Sequence, residues 1–144
     1  MKKPKVLFIC VHNSGRSQMA EAYLKKIAGD HYDVESAGLE PAHEINPLVV
    51  EVMKEEGIDI SSNKIQSVFE LFKNGKLYDH VITVCDGASE AKCPVFAGIT
   101  RRWNWPFPDP AAVKGPDTEK MQKVREIRDL IKEKLINSME AGFN

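Results

Sequence analysis

Lys5-Val6-Leu7-Phe8-Ile9-Cys10-Val11-His12-Asn13-Ser14-Gly15-Arg16-Ser17 is an apolar run, then a short polar loop, then the opening of a helical pattern. Residues Val6 to Cys10 are apolar without interruption, as in a strand buried on both faces of a parallel sheet. A loop between such a strand and a helix points successive backbone N–H groups at one spot, and the helix N-terminus adds its partial positive charge. The backbone from Val11 through His12, Asn13, Ser14, Gly15 and Arg16 is therefore the candidate oxyanion cradle. Arg16 can hold two oxyanion oxygens with its planar fork. A thiol facing that field ionises more readily than a free one, which makes Cys10 the candidate nucleophile. Ser17 is placed to donate to the thiolate. Asn13 suits a tight, left-handed turn, and Gly15 permits close backbone approach. His12 is expected to contribute its backbone, with its side chain turned away. The G-x-x-x-x-G-K pattern of a nucleotide-binding loop is absent.

Outward from this stretch, apolar runs alternate with helical patterns, which predicts strands of a parallel sheet joined by crossover helices. A helix is expected from about Ser17 to Ala28, stopped by Gly29-Asp30, and a second strand over Tyr32 to Ser36, ending at Ala37-Gly38. Asn46-Pro47 reads as cap and first residue of a helix ending at Gly57. Ile65, Val68, Phe69 and Phe72 predict a further helix over Ser61 to Phe72. His80 to Cys85 and Ile99 to Trp105 are read as the third and fourth strands, and Asp117 to Met139 as a long amphipathic helix. The expected fold class is α/β: one domain over residues 1–144, an open sheet of about four parallel strands flanked by helices. Ligands of such sheets bind beyond the carboxyl ends of the strands. Cys10 and Cys85 would share that edge if the first and third strands are neighbours.

The chain has 144 residues and a formal net charge of −1, so anion specificity has to be local, and neither nucleic acid nor an anionic membrane is implied as a partner. Arg101-Arg102 with Trp103 and Trp105 is read as a solvated basic strand edge and not as a base-stacking surface. The apolar run Val6 to Val11 is shorter than a signal peptide's core, and no run reaches membrane-span length, so the protein is expected to be cytoplasmic. Three cysteines in such a chain favour catalysis, redox chemistry or metal binding over a disulfide framework.

An oxyanion's leaving oxygen needs a proton. Asp109 lies in the proline-stiffened loop Trp105-Pro106-Phe107-Pro108-Asp109-Pro110, where partial burial would favour its protonated form. By residue type alone a solvated turn aspartate before proline is the commoner reading. Cys85 and Cys93 flank Asp86-Gly87-Ala88-Ser89-Glu90-Ala91-Lys92 and can be a zinc pair completed by His80 or His43, two small buried residues, or a redox pair.

The loop resembles the phosphate-binding loop of the low-molecular-weight protein tyrosine phosphatases. The longer stretch from Cys10 to Ala22 is most similar to their arsenate reductase branch. Ser36-Ala37-Gly38, Asn46-Pro47, Asp59-Ile60-Ser61 and Asp109-Pro110-Ala111 agree with it. The resemblance implies that Asp109 is the general acid and that Cys10, Arg16 and Ser17 act on arsenate or a phosphate-like oxyanion. It also implies that Cys85 and Cys93 complete a thiol–disulfide relay with Cys10, reduced in turn by a thioredoxin or glutaredoxin. No organic cofactor is implied. A potassium ion is implied near Asn13, Glu21 and Ser36, with Gln66 where a further carboxylate would stand. An aryl-phosphate phosphatase is the alternative. Against it, Leu39 to Val52 contains no aromatic residue and Ala111-Ala112 follows Asp109-Pro110. A thiol-based arsenite or metal binder, or a redox sensor, is a third reading. Such a protein would not need Arg16 and an anion-shaped loop.

Overall fold

In the computed structural model, which describes residues 3–98 and 100–140, the first strand is β1, Lys5–Cys10. It lies inside the sheet, flanked by β2 (Asp33–Gly38) and β3 (His80–Thr83), with β4 (Arg101–Asn104) beyond β3. All pairings are parallel and the order is β2-β1-β3-β4. That central position explains the unbroken apolar run, since Val6 to Ile9 are fully buried. Cys10 pairs with Gly38, and Ile9 with Thr83, so the first and third strands are neighbours as expected. Cys85 follows two residues beyond β3.

Side chains alternate across β1, which divides the interior in two. Val6, Phe8 and Cys10 enter one core with Met19, Tyr23 and Leu24 of α1 (Arg16–Ala28), Val49 and Val52 of α2 (Pro47–Lys54), and Val124, Ile131 and Leu135 of α5 (Asp117–Glu140). Leu7 and Ile9 enter the other with Val68 and Leu71 of α3 (Val68–Lys73), Tyr78, Val81, Phe96 and Cys93. The first and third cysteines thus belong to opposite faces of the sheet.

The helix expected over Ser61 to Phe72 forms only as α3. Its cap is Ser67, whose Oγ accepts from the N–H groups of Phe69 and Glu70. Residues 61–66 instead run as a strap against the oxyanion loop. Lys64 O accepts from Gln18, Gln66 N donates to Asn13 Oδ1, and Gly38 bridges to Ser67. Two short elements lie where no helix is expected: α4, Gly87–Glu90, capped by Asp86, and a 3-10 turn, Pro110–Ala112, capped by Asp109. The proposed start of the fourth strand, Ile99, lies outside the described residues. Among the described residues no helix is long and apolar enough to cross a membrane.

Candidate active site

The loop after β1 is built by turning its carbonyls outward. Cys10 O accepts from Leu39 N, Val11 O from Glu40 N, His12 O from Ala42 N, Ser14 O from Asn46 N and Gly15 O from Met19 N. Asn13 O accepts from Gln18 Nε2 at 3.1 Å. In a planar trans peptide the N–H opposes the C=O, so the N–H groups of residues 11–16 are left to the inner side. One already acts there: Asn13 N donates to Cys10 Sγ at 3.1 Å. The side chain of His12 turns away, with Nδ1 at 2.9 Å from Glu40 O, as expected for a residue that contributes backbone.

Asn13 adopts φ 55 and is fully buried. Its Nδ2 donates to Ser17 Oγ at 2.8 Å and to Ser36 Oγ at 2.9 Å. Ser17 Oγ, already accepting from Asn13, lies 2.8 Å from Cys10 Sγ with its own proton available for the sulfur. Cys10 is 2 % exposed and heads this chain of donors. Arg16, the first residue of α1, is also buried; its Nη1 donates to Phe107 O at 3.2 Å, and its Nη2 lies 3.8 Å from Asp109 Oδ2. The loop from Phe107 to Asp109 therefore closes over the guanidinium. Pro110 packs on Gly15, where a Cβ would stand 3.3 Å from Pro110 Cγ. Asp109 is partly buried, as expected: its side chain is 39 % exposed, Oδ1 accepts from Ala111 N and Oδ2 faces Arg16.

All three cysteines are free thiols. Burial pushes the Cys85 thiol up to about 11, opposed by the nearby Arg16 charge and reinforced by Cys10. Burial pushes Cys93 up to about 12, with Cys85 reinforcing and Arg102 opposing. Cys85 thus feels Cys10, and Cys93 feels Cys85. Asn104 of β4 fixes the turn that carries Cys85 by donating to Thr83 Oγ1 and Cys85 O. The zinc alternative fails on topology. His80 opens β3 and Cys85 lies beyond its far end, roughly 15 Å along extended chain. Among the described residues no group of three or more His, Cys, Asp or Glu can hold a metal ion.

The potassium expectation can be tested on the oxygens themselves. Asn13 Oδ1 accepts from Gln66 N, and Ser36 O from Gln66 Nε2. Glu21 accepts from Ser36 Oγ and pairs with Lys25. Each oxygen already meets one donor of the chain itself. A cleft of about 940 Å³ lined by Lys3, Asp33, Tyr78, Asp79, His80 and Arg101 opens at the other ends of the strands, away from the thiols.

Two contributors escape a reading of the sequence. Gln18 is fully buried and ties Asn13 O to Lys64 O. Gly38 lies so close under the loop that a Cβ would stand 2.8 Å from Asn13 N and from Val11 O. A glutamine on the buried side of α1 was the available signal for the first. For the second it was the family likeness of Ser36-Ala37-Gly38, since the approach itself is between distant segments.

Among known proteins, the arsenate reductase of Halalkalibacterium halodurans is 42% identical over 143 residues, 99% of each chain. A solved arsenate reductase in its phosphate-binding state matches with TM-score 0.72 and 30% identity, covering 96% of this chain and 98% of that one. The thioredoxin-dependent arsenate reductase of Corynebacterium glutamicum matches with TM-score 0.62 and 35% identity, covering 94% of this chain and 63% of that one. With residues 5–141 matching the family described as low molecular weight phosphotyrosine protein phosphatase, the chain belongs to that family.

Proposed function

We propose that the protein reduces arsenate to arsenite, with Cys10 as nucleophile and Cys85 and Cys93 as relay thiols. The observation that carries this reading is the presence of three free thiols, the first heading an oxyanion loop and the second feeling the first and felt by the third. A hydrolase of the same family needs only that first one. The relatives named arsenate reductase, similar over nearly the whole chain, support it.

The Cys10 thiolate attacks arsenic(V), held by the loop N–H groups and Arg16. One arsenate oxygen leaves as water, with Asp109 supplying the proton. The Cys85 thiolate then attacks Cys10 Sγ. A Cys10–Cys85 disulfide forms, and the sulfur–arsenic electron pair passes to arsenic, which leaves as arsenite. Cys93 attacks Cys85, forms the Cys85–Cys93 disulfide and frees Cys10 as its thiolate. A dithiol protein of thioredoxin or glutaredoxin type then reduces that disulfide; thioredoxin is favoured because a structural relative is named thioredoxin-dependent. Thiols that must stay reduced fit a cytoplasmic setting. The loop and Asp109 also suit slow aryl phosphate hydrolysis as a side activity.

The test is arsenate-dependent NADPH oxidation coupled through thioredoxin and its reductase, for the unaltered protein and Cys10→Ser, Cys85→Ser and Cys93→Ser. All three substitutions are expected to stop turnover, and only Cys10→Ser to stop aryl phosphate hydrolysis. Absence of arsenate turnover with normal hydrolysis in Cys85→Ser and Cys93→Ser would make the protein a phosphatase.

A further inference from the structure

Arg102, expected as part of a solvated edge, instead fastens the segment that bears Cys93. Its Nε and Nη2 reach Glu90 Oε1 at 2.9 and 2.8 Å. Nη2 also donates to Glu90 O and Nη1 to Pro94 O, both at 3.2 Å. One guanidinium on β4 therefore holds the chain on both sides of Cys93, whose own N–H donates to Glu90 O at 3.1 Å. The Arg102 and Glu90 side chains are 28 and 27 % exposed, so water screens their charges only in part. The charged and titratable groups that act most strongly on the Cys93 sulfur are Cys85, Arg102 and Glu90. Cys93 shares the second core with Leu71, Phe96 and Tyr78, and the Tyr78 hydroxyl is committed to Glu35. Arg102 is thus the cation that acts most strongly on this sulfur among the described residues.

We propose that Arg102 is a positioning residue for the last internal exchange: clasped to Glu90 and Pro94, its guanidinium presents Cys93 and stabilises its thiolate as it attacks Cys85. This rests on the arsenate reductase reading above. In the step, the Cys93 thiol gives its proton to water. The Cys93–Cys85 sulfur bond forms as the Cys10–Cys85 bond breaks, and Cys10 departs as a thiolate into the loop's N–H groups, with no net oxidation. Glu90 plays two parts, orienting the guanidinium while its charge opposes the thiolate. Glu90→Gln keeps a side-chain oxygen to accept from the guanidinium and removes only the charge, so it should act in the opposite sense to the loss of Arg102.

The experiment is a single turnover of the fully reduced protein with arsenate and no reductant. Samples are quenched in acid and alkylated, arsenite is measured, and the two disulfides are separated by mass spectrometry across neutral to mildly alkaline pH. Arg102→Gln should release arsenite at the unaltered rate but convert the Cys10–Cys85 disulfide roughly tenfold more slowly or worse, the size of a lost charge-assisted hydrogen bond. Its rate profile should be displaced to higher pH. Arg102→Lys should recover most of the rate, and Glu90→Gln should displace the profile to lower pH. Conversion by Arg102→Gln at the unaltered rate and pH dependence overturns the inference, as do shifts of Arg102→Gln and Glu90→Gln in the same direction. Where Arg102→Gln fails to fold, Glu90→Gln decides alone, and an unmoved profile overturns the inference. If the unaltered protein releases no arsenite, the reductase reading falls first and the inference with it.

Discussion

Asn13→Ala removes the residue on which the oxyanion loop is hung. Its side chain donates to Ser17 and Ser36 and accepts from Gln66 N, at 2.8, 2.9 and 3.0 Å, all at a fully buried position. Three such bonds at about 1 kcal/mol each amount to about 3 kcal/mol. The backbone at φ 55 adds about 1 kcal/mol, because alanine tolerates the left-handed region less well than asparagine. The expected loss is about 4 kcal/mol, or a fall in Tm on the order of 10 °C for a domain of this size. Asn13→Gly keeps the conformational freedom and loses only the bonds, so it should be about 1 kcal/mol more stable than Asn13→Ala. Urea and thermal unfolding measure both. Aryl phosphate hydrolysis reports whether Cys10 Sγ still meets the loop, and both variants should be severely impaired. A stability loss for Asn13→Ala within about 1 kcal/mol of zero would refute the hydrogen-bond accounting. Equal stability of the two variants would refute the assignment of strain to the left-handed backbone.

Gly38→Ala places a methyl 2.8 Å from Asn13 N and Val11 O and 2.9 Å from His12 C, all backbone atoms, so the loop has to move. A stability cost of roughly 1–3 kcal/mol is expected, with phosphate or vanadate titration showing a weakened oxyanion site. Stability should fall on the alkaline side, because Cys85 and Cys93 stay protonated to about 11 and about 12 while the unfolded chain releases these protons near pH 9. Below that pH both states are protonated and the thiols contribute no pH dependence. Above it each thiol removes about 1.4 kcal/mol per pH unit until its folded value is reached. The urea midpoint should drop accordingly, with a shallower slope in Cys93→Ala. Potassium chloride and sodium chloride at equal ionic strength should give equal stability and arsenate turnover, since donors of the chain already occupy the oxygens of Asn13, Glu21 and Ser36. A potassium-specific rise in Tm would show that Gln66 yields to the ion.

The parts legible in the sequence are those specified by neighbours along the chain. The buried strand, the loop and the helix after it follow from one run of residues, and Asn46-Pro47 caps α2 as read, with Asn46 Oδ1 accepting from Leu48 N. The segment 61–66 was misread because Ile65 falls at helical spacing with Val68 and Phe69. Its backbone is held instead by Gln18 and Asn13, about fifty residues earlier. A better local signal lay in Ser67-Val68-Phe69-Glu70, a serine three residues before a glutamate, which marks the true start of α3. Asp109 was picked out from its proline-flanked loop, but its pairing with Arg16 depends on how two distant loops meet. Arg102 carried no local sign of its role, since Glu90 and Pro94 come to it only when β4 joins β3.

The two cores on either side of β1 have a consequence for traffic through the molecule. Cys10 packs with one and Cys93 with the other, while Cys85 sits past the end of β3, the strand paired with β1. The sheet is therefore a partition, and in the relay proposed above oxidation passes around its rim from the core that holds Cys10 to the core that holds Cys93. In that reading the thiol that meets the reductant lies in a core separate from that of the nucleophile. The nucleophile's side, with its loop, guanidinium and acid, is complete without the other, so the relay can be altered or lost while the hydrolytic half keeps its architecture.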